Sequence, residues 1–162
     1  MNKTNSLLLK MIDYYSGDPK RIQHFIKVHS FAKLIGELEG LDKSTQYYLE
    51  TAAIVHDIGI KSAEEQFGNC NGKLQEQLGP SLAKEFLSEL NYDTDIINRV
   101  CYLVGHHHTY SNIDGLDYQI LVESDFLVNL YEDSLDGAAI HAAYKNIFRT
   151  KSGKQICQSM FG

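Results

Sequence analysis

The apolar run Ala52-Ala53-Ile54-Val55 ends in His56-Asp57 instead of a solvated turn, and Ile58-Gly59 returns at once to small and apolar residues. An imidazole and a carboxylate delivered into an apolar interior are costly unless neighbouring groups neutralise and hydrogen-bond them. The rest of the chain must therefore bring a cation or a tight polar network to that point. Adjacent residues on a helix point about 100° apart, so both can face one centre only where the helix is finishing. Gly59 is the predicted stop.

Periodicity predicts helices elsewhere and no hairpins. Asp18-Pro19 is a helix-start signal, and Ile22, Phe25, Ile26, His29, Ala32 and Ile35 follow at spacings of three and four, with His24 beside that stripe. A second helix runs from about Ser44 to His56, and a third is predicted to start at Gly79-Pro80. Ile96 to Val104 form another, capped by Thr94, which runs out at Gly105 into His106-His107-His108. A turn-rich loop through Ser111 and Asp114 leads to a helical stretch containing Leu121, Asp125 and Leu130, and a C-terminal helix is expected over 137–149. The expectation is an all-α, compact bundle of six or seven helices forming one domain over 1–162. Its motif-bearing core covers about 20–135.

Composition narrows the function classes. With 162 residues, 22% charged and 43% hydrophobic, the chain is an ordinary globular length and mixture. A net charge of −6 disfavours holding extended nucleic acid by broad phosphate neutralisation. The run Leu7-Leu8-Leu9 is too brief for a membrane span or a signal-peptide core, so a cytoplasmic address is expected. Cys70, Cys101 and Cys157 are odd in number and lack Cys-x-x-Cys spacing, which indicates neither disulfides nor structural zinc. Self-association into a homo-oligomer is left open.

Four side chains from three helical segments stand out as ligands: His24, the His56-Asp57 pair, and Asp125 in an otherwise apolar stretch. Imidazole plus carboxylate without thiolate suits an open divalent site of Mn, Fe, Co, Ni, Mg or Zn better than a closed structural zinc. A divalent ion in such a site acidifies water and polarises phosphoryl oxygens. Arg21 lies one turn before His24 and Lys61 four residues beyond Asp57, and both are candidate phosphate contacts. His29 and His141 are read as structural, His108 as solvent-facing, and Glu64-Glu65 and Glu132-Asp133 as solvated faces. Tyr110 is read mainly as a packing residue, with nucleobase stacking as the alternative.

His24, His56-Asp57 inside Ala53-Ile54-Val55-His56-Asp57-Ile58-Gly59, and Asp125 inside Leu121-Val122-Glu123-Ser124-Asp125-Phe126-Leu127 resemble the ligand set of the HD-domain metal-dependent phosphohydrolases. The resemblance covers roughly residues 20 to 135. It implies an HD fold and one divalent ion on His24, His56, Asp57 and Asp125; Asp57, with Lys61 and Arg21 as the phosphate contacts read from their positions, makes up the expected catalytic set. It further implies hydrolysis of a phosphate ester or anhydride in a small phosphorylated metabolite, a nucleotide above all, by a metal-activated water. Several branches of that family place ligands for a second ion near His106 and His107, so these two are candidates for a second metal or a phosphate contact beside the one expected ion. Other positions depart from the family pattern. Gln75-Glu76-Gln77-Leu78-Gly79 stands where such branches carry a further histidine before a glycine. Ile60 replaces the glutamate of the nucleoside monophosphatase branch, Lys61 comes one residue later than the lysine of other branches, and no Gly-Tyr-Pro signature is present. Ile60 and the displaced Lys61 sustain an alternative, a metal-containing nucleotide sensor without turnover, while the missing Gly-Tyr-Pro disfavours the activity of the cyclic-dinucleotide branch.

Overall fold

The computed structural model describes residues 1–162 and is all-α, with nine helices and no strand. They are α1 Lys3–Tyr14, α2 Pro19–Leu38, α3 Lys43–Val55, α4 Ile60–Phe67, α5 Gly72–Glu89, α6 Thr94–Val104, α7 Leu116–Glu132, α8 Gly137–Asn146 and α9 Lys151–Phe161. None is long and apolar enough to cross a membrane. The all-α expectation holds, while six or seven helices undercounts the segments actually formed.

Local chemistry sets the helix starts. Asp18 accepts from Arg21 N at 3.2 Å with Pro19 in the first turn, and Asp42 and Asn71 accept from the backbone three residues on. α3 packs against α2, α6 and α7, so its apolar residues Leu49, Ala52, Ala53, Ile54 and Val55 are all buried. α2 lies on α7 and α5 on α6, and one contiguous apolar cluster joins the bundle.

Several boundaries differ from the sequence reading. α5 begins at Gly72 and runs through Pro80, which the sequence marked as a start. Packing against α4 and α6 sustains the helix across the bond that proline cannot make. α1 was not predicted, because few of its residues are buried: Leu7 and Met11 face inward, and Tyr15 just beyond it donates its hydroxyl to the Asp57 carbonyl at 2.7 Å. The C-terminal helix stops at Asn146 and is followed by the unpredicted α9. Thr150 caps α9 by accepting from Gly153 N, and Thr150 in turn is held by the fully buried Glu123, which accepts from its backbone N and its hydroxyl.

Candidate metal centre

α3 ends with a tightening that puts His56 and Asp57 on the same side. Ile58 N donates to Val55 O and Ile60 N to Asp57 O, two bonds that span three residues each. The chain then enters α4 directly, with Gly59 in the right-handed region, so this glycine is not required for its φ. It is required for space. A Cβ there would sit 2.9 Å from the Gln75 carbonyl oxygen and 3.0 Å from Gly79 N, both backbone atoms of α5.

Four side-chain atoms able to hold a metal ion meet at this turn. His24 Nε2 from α2 lies 3.0 Å from Asp57 Oδ2, 3.1 Å from Asp125 Oδ1 of α7 and 3.2 Å from His56 Nε2. His56 Nε2 is 3.3 Å from Asp57 Oδ2 and 3.4 Å from Asp125 Oδ1. The structure therefore brings His24, His56, Asp57 and Asp125 together, one ligand atom of each within 4.8 Å of the others. His56 is fully buried, and His24 and Asp125 are nearly so.

The imidazoles are aimed in advance. His56 Nδ1 donates to Ala53 O at 2.7 Å and His24 Nδ1 to Glu132 Oε1 at 2.7 Å, which directs each Nε2 lone pair at the cluster. Two nitrogen lone pairs and two carboxylate oxygens then face one another, an arrangement that requires a cation or protons between them. Burial opposes charge on His24, yet hydrogen bonds and charge from Asp125 and Asp57 push its pKa up to about 11. Burial likewise opposes His56, while the charges of Asp57 and Asp125 push it up to about 10. Both carboxyls are pulled the other way: burial would raise them, and the imidazoles hold them well below the usual range. A site with this appetite for positive charge, this donor set and these fixed tautomers fits a divalent ion.

The histidine run contributes differently from its prediction. His107, only 1% exposed, donates Nδ1 to Val104 O at 2.8 Å and leaves Nε2 without a hydrogen-bond partner, 3.4 Å from Asp57 Oδ1. His106 turns away: its ring stacks on Tyr102 and its Nδ1 donates to Tyr102 O at 2.7 Å. His108, expected in solvent, instead lines the cleft and donates Nε2 to Gln75 Oε1 at 2.8 Å. Burial, with the neighbouring His107, lowers its pKa to about 4 and keeps it neutral. The pair beside Asp57 is thus His107 and His108, not His106 and His107.

The cluster floors a cleft of about 380 Å³. Arg21 is on its wall, with its guanidinium held by Glu64 at 2.5 Å and Asp18 at 3.3 Å. Lys61 is not at the cleft. Ile60 lines it, and the next residue round the helix points outward, where Lys61 Nζ donates to Tyr14 O at 3.1 Å over the Tyr14 ring. Lys20 lines the cleft with no carboxylate within ion-pair distance. Tyr110 packs edge-on against Phe126, and His29 lies 3.4 Å from Glu50, away from the cluster.

Besides Lys20, two polar residues at the site were missed by sequence reasoning. Asn129 donates Nδ2 to Asp125 Oδ1 at 3.0 Å, and Glu132, read as solvated, has a side chain only 10% exposed between His24 and Lys27. The signal was their spacing: residues 125, 129 and 132 recur on one face of α7. Cys70, whose spacing indicates neither a disulfide nor structural zinc, also lines the cleft, and its carbonyl accepts from Gln75 Nε2 at 2.7 Å.

Comparison with known proteins gives one family and one solved structure. The model of the HD domain matches residues 21–143. A predicted HD superfamily hydrolase from an uncultured Thermotogales bacterium is similar at a TM-score of 0.63 and 21% identity, over 97% of this chain and 82% of that one. At that identity the likeness speaks for the fold. No curated protein matches.

Proposed function

The chain belongs to the HD domain family, and on that footing we propose that it is a divalent-metal-dependent phosphohydrolase acting on a small phosphorylated metabolite, with nucleotides the first class to test. The observation that carries this reading is the convergence of two imidazole Nε2 atoms and two carboxylate oxygens from three helices. In this reading His24, His56, Asp57 and Asp125 hold one ion. That ion, when bound, supplies a Lewis acid that acidifies water and polarises a phosphoryl oxygen.

The chain's own residues supply position and charge. Asn129 holds the Asp125 oxygen, and Tyr15, through the Asp57 carbonyl, holds the turn. Lys20, free of partners at the cleft wall, is the cation best able to meet a substrate phosphate as a point charge. Arg21 is braced between two carboxylates, so it offers a fixed but partly neutralised guanidinium. His107 and His108 flank the free Asp57 oxygen, where a second ion or a phosphate oxygen would bind.

A second reading, a metal-bearing nucleotide sensor without turnover, is favoured by Ile60 at the cleft and by Lys61 turned toward α1. Phosphate and pyrophosphate release across a panel of nucleotides and sugar phosphates, with Mn²⁺, Co²⁺ or Mg²⁺, separates the two. Release that disappears in His56→Ala and Asp57→Ala supports the enzyme. Tight ion binding with no release from any compound supports the sensor, and release that survives both substitutions refutes the proposed site.

A further inference from the structure

We infer that Glu132 is a positioning residue whose carboxylate orients His24 and strengthens it as a donor to a divalent ion, and so sets the affinity of the whole cluster. The inference rests on reading the cluster as an ion site. Its ground is a difference among the imidazoles. His56 and His107 follow the last turns of α3 and α6, where backbone carbonyls lack intrahelical partners, and each ring is fixed by such a carbonyl, Ala53 O or Val104 O. Those two orientations come with the helix ends themselves.

His24 has no such resource. It lies inside α2, where carbonyls are consumed by the helix, so the acceptor for its Nδ1–H must come from another element. Glu132, the last residue of α7, provides it at 2.7 Å. Its other oxygen is held at 2.6 Å by Lys27 Nζ, one turn beyond His24 on α2. Both oxygens are therefore committed, and the carboxylate cannot swing away without breaking an ion pair. An anionic acceptor also makes a stronger hydrogen bond than a carbonyl and leaves the opposite nitrogen a better ligand.

Without Glu132 the Nδ1–H of a buried ring faces no acceptor, and the ring can exchange tautomers or turn over. Either change removes one lone pair from the cluster. Glu132→Gln keeps the shape and a carbonyl acceptor but loses the charge, whereas Glu132→Leu loses both.

Calorimetric titration of ion-free protein with Mn²⁺ tests this. Glu132→Gln is expected to lower affinity about tenfold and Glu132→Leu about a hundredfold, the range found when such buttressing groups are removed. Nitrogen-15 NMR of zinc-loaded protein gives a second readout: His24 is expected as the Nδ1–H tautomer in wild type and Glu132→Gln. Both variants are first checked for native helicity. If Glu132 only stabilises the fold, the melting temperature of ion-free protein falls while affinity stays within about twofold of wild type, and the inference is overturned. If wild type itself takes up no divalent ion, the ion-site reading has failed instead.

Discussion

Loading the cluster with one divalent ion should expel two protons. His24 and His56 have pKa values pushed up to about 11 and about 10, so at pH 7 both Nε2 atoms carry protons when no ion is present. Asp57 and Asp125 are held ionised by those same imidazoles. The ion-free cluster is thus two imidazolium groups against two carboxylates, and a divalent ion replaces two protons without changing the net charge. Its affinity should then rise about a hundredfold per pH unit between pH 6 and 8, about 2.7 kcal/mol per unit. Mn²⁺ titration calorimetry at one pH, in two buffers of different ionisation enthalpy, counts the protons directly. A count near zero, with affinity flat across that range, would refute the argument by showing the imidazoles already neutral.

Three further outcomes follow from the same geometry. In chelator, thermal stability should fall as pH rises from neutral toward 10 and should return on adding ion; groups whose folded pKa exceeds the unfolded value of about 6.5 contribute fully below that value and lose their contribution as pH climbs through the folded one. Melting curves that stay level to pH 10 would contradict it. Gly59→Ala forces a Cβ to within 3.0 Å of α5 backbone atoms, so urea unfolding should report a loss of about 1–3 kcal/mol together with weaker ion binding from the displaced His56-Asp57 turn. With an active substrate in hand, Lys20→Ala should raise KM several-fold while Lys61→Ala leaves kcat/KM near wild type; the reverse pattern would restore Lys61 to the cleft.

The convergence of His56, Asp57 and Asp125 was legible because each breaks an apolar pattern and a buried charge must find partners, whereas His24, beside its apolar stripe, was legible mainly through the family resemblance. Its surroundings were less so, for reasons of angle and distance. Three consecutive histidines fan out by about 100° each, so which pair faces Asp57 depends on the last turn of α6, to which a periodicity reading is blind. Lys61 fails by the same rotation. Glu132 and Lys27 pair across two helices 105 residues apart in sequence, and only the packing of α2 on α7 makes them neighbours of His24. α9 was hidden because its start is organised by Glu123, a carboxylate two helices upstream.

Anomalous diffraction at the manganese edge, from crystals grown with Mn²⁺, addresses the ion site most directly. The account predicts a peak within bonding distance of His24 Nε2, His56 Nε2 and one oxygen each of Asp57 and Asp125. A map with no peak there, with the four side chains bonded only to one another, would contradict it.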